Sequence, residues 1–373
     1  MKKTVFVAIS GGVDSAVSAA LLKEQGYEVV GIFIKTWHPD FLPCREEEER
    51  RDAMRVAALL DIPFLTFDFE DVYKKEVADY MISEYKDGKT PNPDVMCNKE
   101  IKFGAFFKKA ISMGADYVAT GHYARVSPVQ NFSHCALPRV RGGTLADKNF
   151  KQASLLKGTD PSKDQVYFLW TLKQKQLSKI LFPIGHLKKA EVRKLAKKFG
   201  LPVAEKKDSQ GICFLGTVDL KDFLRHYIKG KVGKVCDERG EEIGFHSGAV
   251  FYTLGERHGF IITKKAEHDK PYYVIGKDIK KNVLSVSQSK NVSLIRANGR
   301  IVLDDINWIS TIPKENKNYT AQIRYHGELL KCKIKITSKT KTEVIFEKPI
   351  LVASGQSCVI YDKEICLGGG VVK

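Results

Sequence analysis

The stretch Thr4-Val5-Phe6-Val7-Ala8-Ile9-Ser10-Gly11-Gly12-Val13-Asp14-Ser15 decides the fold of this chain. Its first six residues form a continuous apolar run, the pattern of a strand buried on both faces of a parallel sheet. A polar, glycine-bearing turn follows. Ser15–Gln25 then reads as a helix with Gly26 as its C-terminal cap. Two glycines let the backbone pass close to a ligand, and the free amides at a helix start suit a phosphate. Ser10 and Ser15 add hydroxyl donors. The turn lacks Gly-Lys-Ser/Thr, so it is not a Walker P-loop. An ordinary glycine-rich strand-to-helix turn is the plainer alternative. The buried strand before it and the helix after it favour the phosphate-binding one.

Outward from this stretch, strand and helix alternate. Glu28–Ile34, Phe64–Phe69 and Tyr117–Thr120 read as strands. Glu46–Leu60, Val72–Tyr85 and Lys99–Met113 read as helices, the first with acids in its opening turn and an apolar face including Met54, Ala57 and Ala58. The alternation predicts an α/β fold with a doubly wound parallel sheet, which binds ligands at the carboxyl ends of its strands. Residues 126–153 read as an irregular excursion, and helical stretches are expected near Gln165–Ile180 and Lys189–Phe199. Beyond about residue 230 short alternating segments such as Ala321–Tyr325, Lys331–Thr337 and Val344–Phe346 predict antiparallel strands.

The chain has 373 residues, 43% hydrophobic and 28% charged, enough for two or three packed domains. No apolar run approaches the roughly 20 residues of a membrane span, and the short apolar start reads as a mature cytosolic N-terminus rather than a signal peptide. The net charge of +17 is uneven: −6 over residues 1–100, +14 over 101–218, +3 over 219–287 and +6 over 288–373. A basic middle and tail beside an acidic head suggest a polyanion lying across part of the surface. None of the eight cysteines forms a Cys-x-x-Cys pair, which argues against a zinc ribbon or a thioredoxin-like site. No metal-ligand spacing is seen among the histidines either.

Two cysteine-bearing segments stand out. In Thr90-Pro91-Asn92-Pro93-Asp94-Val95-Met96-Cys97-Asn98, two prolines stiffen a loop and Asp94 lies three residues from Cys97, near a predicted helix start. The residues alone fit a buried cysteine after a Pro-rich turn equally well. In Lys206-Lys207-Asp208-Ser209-Gln210-Gly211-Ile212-Cys213-Phe214, the paired lysines raise the local potential and favour a thiolate at Cys213.

Taken together these motifs identify a resemblance. The turn at Ser10–Ser15 resembles the pyrophosphate loop of the ATP pyrophosphatases, and the whole chain is similar to the bacterial tRNA-specific 2-thiouridylases. The similarity also runs through Ala119–Arg125, Lys163-Asp164-Gln165, Phe182–Gly185, Tyr252–Gly255, Arg324-Tyr325, Ser354–Ser357 and Cys366–Gly370. It implies ATP-dependent 2-thiolation of the wobble uridine of tRNA. Ala8, Ile9, Ser10, Gly11, Gly12, Val13, Asp14 and Ser15 would hold ATP, with Asp14 helping to hold Mg²⁺, and Ile34 and Gly121 would flank the adenosine.

The resemblance also implies that Asn92, Pro93 and Asp94 meet the target base, with Asp94 as acid–base residue. Cys213 would carry a persulfide, with Cys97 as partner thiol, and the two would end as a disulfide. His122, Lys163, Asp164, Gln165, Arg324, Tyr325 and Gln356 fall at tRNA-contact positions. The expected substrates are the Lys, Glu and Gln tRNAs, and the expected sulfur source is a cysteine desulfurase or sulfur-relay protein. The expected organisation is a catalytic domain over 1–218, a small β-rich domain over 219–287 and a C-terminal β-barrel over 288–373. Ser209-Gln210 and Ile34 depart mildly from the family pattern, and Cys44 and Cys135 match no catalytic position.

Overall fold

The computed structural model describes residues 2–127, 152–208, 211, 213, 216, 219–264, 270–289, 299–338 and 340–373. Most of the 126–153 excursion, with Cys135 and the Ser209-Gln210 pair, lies outside them.

The opening apolar run is β1 (Thr4–Ala8), whose central residues Val5, Phe6 and Val7 are buried. It leads into α1 (Val13–Glu24), which ends ahead of Gly26 at φ +86°. β2 (Glu28–Lys35), β3 (Phe64–Asp68) and β4 (Tyr117–Ala119) follow, then a hairpin of β5 (Ala124–Ser127) and β6 (Ser154–Lys157), then the short β7 (Ile180–Leu181). The strands β3-β2-β1-β4-β7 lie in that order and pair in parallel throughout. This is the doubly wound sheet expected from the alternation. Its order reverses direction between β1 and β4, the switch point at which such sheets open a ligand crevice.

The helix α2 (Glu46–Leu59) turns a different face inward from the one its sequence suggests. Ala53, Val56 and Ala57 are buried, whereas Met54 is 42% exposed and Ala58 also faces outward. A 100° step per residue puts Met54 one position off the stripe that the sheet covers. The third and fourth helical segments are longer than expected. Glu70–Tyr73, Lys74–Asp79 and Tyr80–Lys86 run on without a break, as do Pro93–Met96, Cys97–Phe106 and Phe107–Ser112; in each the middle piece is π-helical. The region expected to be helical near Gln165–Ile180 holds only short turns at Val166–Leu169 and Gln174–Leu177, while Lys189–Lys198 forms as expected.

The second sheet combines β8 (Gly233–Cys236), β9 (Glu242–His246), β10 (Ile261–Ile262), β11 (Tyr273–Asp278) and β12 (Val283–Ser287) in the order β10-β9-β8-β12-β11. The third contains β13 (Arg300–Trp308), β14 (Tyr319–Gln322), β15 (Leu330–Ile336), β16 (Thr342–Phe346), β17 (Ser357–Asp362) and β18 (Ile365–Val372). These run β13-β16-β15-β14-β17-β18, and pairing of β18 back onto β13 closes an antiparallel barrel. Closure removes the open edges that a sheet would otherwise expose.

The hairpin β5–β6 belongs to this barrel rather than to the parallel sheet. Leu155 and Leu156 of β6 pair with Cys366 and Ile365 at the start of β18. The first domain is thereby stitched to the last by backbone hydrogen bonds.

Candidate active site

The loop between β1 and α1 sits at the switch point. Gly11 adopts φ +71°, and a Cβ there would fall on the Glu49 carbonyl oxygen, so both the conformation and the lack of space require glycine. Gly12 caps α1 without a side chain, which leaves the first helical amides facing outward with no intrahelical acceptor. Ser15 Oγ accepts from the Ser10 amide at 3.2 Å and donates to the Gly12 carbonyl at 3.1 Å, holding the loop shut around its own first turn. Ile34 ends β2 on one side of β1 and is buried with Phe6 and Phe67. Gly121 follows β4 on the other side, its Cα facing the backbone of Asp14 and Ser15. The fit to a nucleotide is therefore good: an amide-lined cradle at a helix start, flanked by the ends of β2 and β4.

Asp14 is held from two sides. Its carboxylate accepts from Lys189 Nζ at 2.8 and 2.9 Å and from the Tyr123 hydroxyl at 2.8 Å. No group of three or more His, Cys, Asp or Glu gathers among the described residues. A Mg²⁺ with one carboxylate and phosphate oxygens needs no such group, because it keeps several waters. Asp14 alone fits that requirement.

Lys189 reaches past Asp14 to Asp208 at 2.9 Å, and Asp208 also takes Lys163 at 2.8 Å and Arg193 at 2.6 Å. Partial burial opposes ionisation of Asp208, but hydrogen bonds from Lys163 and Lys189 hold its carboxyl well below the usual carboxylate range. This network ties the loop at Asp14 to the segment leading to Cys213.

The cysteines meet on the far side of that segment. Asn92 caps a helix that starts at Pro93: its Oδ1 accepts the Val95 amide at 3.1 Å. Cys97 thus lies inside the helix, one turn in, and not in a loop ahead of one. The Asn-Pro pair is an N-cap followed by Pro at the first helical position, a signature that the two prolines masked in the sequence. Cys97 Sγ lies 3.3 Å from Cys213 Sγ. Asp94 Oδ1 accepts the Cys213 amide at 2.8 Å, and the Tyr73 hydroxyl donates to the Cys213 carbonyl at 2.7 Å. Cys97 is completely buried, whereas Cys213 keeps part of its surface exposed.

The two thiols differ in acidity. Burial pushes Cys97 well up. The hydrogen bond donated by Cys97 pulls Cys213 down, against the opposing effect of burial and with help from Lys102. Burial also raises the Asp94 carboxyl, although the Cys213 amide and Lys102 oppose it. The paired lysines do not supply the cation at Cys213. Lys206 bonds Asp52 at 2.7 Å and Lys207 is exposed; the charge comes from Lys102, five residues after Cys97.

The remaining residues singled out in the sequence fall into two groups. His122 is buried, its Nδ1 2.7 Å from Thr120 Oγ1 and its ring packed near Phe103 and Phe182; burial drives its pKa well below the ordinary value. Asp164 Oδ1 accepts the Gly158 amide and Gln165 Oε1 accepts the Tyr123 amide, both at 3.0 Å. With Lys163 on Asp208, these four face inward pairings. By contrast Arg324 is exposed, its guanidinium donating to the Leu254 carbonyl, and Tyr325 lies with its ring 4.3 Å from that of Phe168. Gln356 bridges Ala353 and Val372 in the loop before β17.

That loop also closes over the Asn92 segment. Thr90 donates its amide to the Ser354 carbonyl at 2.8 Å, and its hydroxyl lies 3.2 Å from that of Thr253. Tyr167 and Trp170 both reach Ser357, at 2.9 and 3.1 Å. All three sheet-bearing regions therefore converge on the helix that carries Asp94 and Cys97.

An α/β domain followed by a small β-domain and a closed barrel is the domain order of the tRNA-modifying proteins whose family models match this chain. Three family models match in sequence order. A "tRNA methyl transferase HUP domain" covers residues 3–217, a "tRNA methyl transferase PRC-barrel domain" covers 221–288, and an "Aminomethyltransferase beta-barrel domain" covers 298–372. The chain is 45% identical over 373 residues to the tRNA-specific 2-thiouridylase MnmA of Geobacillus thermodenitrificans, covering 99% of this chain and 94% of that protein. It is 43% identical over 373 residues to MnmA of Bacillus subtilis, with the same coverage. The chain belongs to the tRNA-specific 2-thiouridylase family. Among solved structures, the U34-tRNA thiolase NcsA of Methanococcus maripaludis superposes with a TM-score of 0.32 at 19% identity, over 54% of this chain and 57% of that one.

Proposed function

We propose that this protein uses ATP to replace the C2 oxygen of the wobble uridine in tRNA with sulfur. The observation that carries the reading is the meeting of Cys97 and Cys213, 116 residues apart in sequence, at 3.3 Å beside Asp94. A pyrophosphatase-loop enzyme that activates a carbonyl for attack by ammonia or an amine needs no such pair. A tRNA-binding protein without catalysis needs neither the pair nor the amide cradle.

The uridine C2 oxygen is a poor leaving group, so it is first adenylated at the expense of ATP, with loss of pyrophosphate. Ser10–Ser15 bind and orient the phosphates, and Asp14 would hold a Mg²⁺, which when bound would supply positive charge to the pyrophosphate. Asp94, its carboxyl raised by burial, exchanges a proton with the base. Sulfur then passes from a persulfide on Cys213 to C2. Either Cys97 frees hydrosulfide, which attacks, or the persulfide attacks directly and Cys97 resolves the adduct. Both routes release AMP and leave a Cys97–Cys213 disulfide for a reductant to open. The two sulfurs need to approach by only about 1.3 Å to reach bonding distance.

In this reading residues 1–218 are catalytic, 219–287 form the connecting β-domain, and 288–373 support the tRNA. Asn92, Pro93 and Asp94 face the base. Arg324 and Tyr325 are favourably placed for the RNA backbone, since Arg324 is exposed and lines a cleft of about 370 Å³. His122, Lys163, Asp164, Gln165 and Gln356 also contact the tRNA in this reading, from loops that their own pairings hold in place. The substrates are the Lys, Glu and Gln tRNAs of the cytoplasm, and the donor is a cysteine desulfurase or sulfur-relay protein. No described helix is long and apolar enough to cross a membrane.

The test is Cys213→Ser. This variant retains ATP binding and loses formation of 2-thiouridine in cognate tRNA, read by nucleoside mass spectrometry. Full thiolation by the variant would refute the assignment of the sulfur carrier.

A further inference from the structure

In the thiolation reading the wobble uridine has to leave the anticodon stack before its C2 can meet the cysteines. Its neighbours then lose a stacking partner. Unstacked RNA bases regain one on aromatic side chains, histidine included. A row of rings lies beside the helix that carries Asp94. The turn Val166–Leu169 packs against Pro93–Met96. Phe168 of that turn has its ring 4.3 Å from the Tyr325 ring, which in turn lies 4.0 Å from the His326 ring. Phe168 and Tyr325 are half-buried, and His326, at the outer end of the row, is exposed.

His326 holds that place against its backbone preference. Arg324–Gly327 is a turn between β14 and β15, in which the Gly327 amide donates to the Arg324 carbonyl at 2.9 Å. His326 is its third residue and has φ +56°. Glycine takes this conformation freely, whereas a residue with a Cβ takes it at a cost. Among the described residues His326 is the only ring-bearing side chain on a positive φ. The ring is exposed, so burial does not repay the cost. Strain of this kind persists where function uses it.

The imidazole opens on a cleft of about 450 Å³ that Arg125, Lys157 and Gln322 also line. That size takes a small ligand. Two carboxylates line the cleft as well, and both are engaged. Glu364 accepts from Arg125 at 2.9 Å, and Asp164 accepts the Gly158 amide at 3.0 Å.

We propose that His326, backed by Tyr325 and Phe168, is a stacking platform for the nucleobase next to the target uridine, and that the adjoining cleft takes that nucleotide. The proposal rests on the tRNA-thiolation reading. Lys157 in the cleft and the exposed Arg324 beside it supply positive charge for the flanking phosphates. Stacking uses the face of a base and not its edge, so the platform grips and orients the RNA without choosing its sequence. The same ring stabilises the splayed loop that presents the uridine to Asp94.

The experiment uses full-length Lys tRNA carrying 2-aminopurine, in separate probes, on either side of the wobble uridine. Binding and probe fluorescence are measured with the full-length protein. His326→Gly suits the local backbone, so by differential scanning fluorimetry it melts no lower than wild type. It binds the tRNA roughly 5–150-fold more weakly, and one of the two probes is less quenched in its complex than in the wild-type complex. His326→Phe keeps the wild-type affinity. Wild-type affinity in His326→Gly overturns the proposal. So does a loss of affinity with both probes reporting as in wild type, because the imidazole then acts through a contact other than stacking. Wild-type protein that binds no Lys tRNA overturns the platform together with the thiolation reading. Normal thiolation by the wild type, with His326→Gly binding unaltered, overturns the platform alone.

Discussion

Replacing Gly121 by alanine should damage the nucleotide crevice through sterics alone. The backbone there is not in the left-handed region, so alanine brings no conformational strain. Its Cβ, however, would lie 2.6 Å from the Ser15 amide nitrogen, 2.8 Å from the Asp14 carbonyl carbon and 3.0 Å from Ser15 Cα. All three are backbone atoms at the start of α1, so no side chain can swing aside. Relief to about 3.4–3.6 Å, the ordinary van der Waals separation, requires the end of β4 and the start of α1 to part by roughly 0.8 Å.

Overpacking of this kind costs about 1–3 kcal/mol, which at about 2–4 °C per kcal/mol lowers the melting transition by roughly 2–12 °C. It also displaces the amides of the cradle, so ATP affinity falls together with stability. Gly26→Ala is the control. Gly26 has φ +86° with nothing within 4 Å of a Cβ, so it suffers left-handed strain of about 1–2 kcal/mol and leaves the crevice intact. Differential scanning fluorimetry and calorimetric titration with ATP on the two variants separate the effects. Native ATP affinity in Gly121→Ala, with a melting point equal to wild type, would refute the close approach of β4 to α1 as the basis of the site.

Asp94→Asn keeps an oxygen acceptor for the Cys213 amide but cannot exchange a proton; thiolation should fall by about 10²–10⁴-fold, measured as single-turnover 2-thiouridine formation with ATP binding unchanged. Asp208→Asn should destabilise the protein at neutral pH, because Asp208 is held below the ordinary carboxylate range by its cations. That stabilisation is present above the unfolded carboxylate pKa of about 3.9 and is lost as pH falls through the depressed folded value. Urea midpoints for the two proteins should therefore differ at pH 7 and converge in strong acid; a constant gap would mean that the pairings contribute no charge-dependent stability. Binding of tRNA should weaken steeply with salt, checked by filter binding, since residues 101–218 carry a net charge of +14; a flat response would remove phosphate contacts from the account.

The first third of the fold is legible residue by residue. A buried parallel strand has to be continuously apolar, and a helix start that faces a ligand has to be glycine-bearing, so β1, the Ser10–Ser15 loop and α1 follow from local physics. The errors also have local causes. Met54 and Ala58 are apolar yet face solvent, because a sheet covers only one stripe of α2 and residue type alone does not say which. Pro91 and Pro93 concealed a helix start, because proline breaks a helix everywhere except at its first turn.

The sequence by itself pointed to the class of chemistry: a glycine-bearing turn suited to phosphate, two cysteines in polar segments, and an excess of basic residues suited to a polyanion. Only the tertiary structure decided how the two cysteines differ. Cys97 becomes the buried, protonated thiol and Cys213 the more acidic one because burial raises the first, and packing brings the second, 116 residues away, within hydrogen-bonding distance of it. It also decided that the β5–β6 hairpin completes a contact with the barrel, and that Lys163 and Lys189 neutralise Asp208. Ionisation depends on burial and on charges within a few ångströms, and these neighbours come together only when residues distant in sequence are packed against one another.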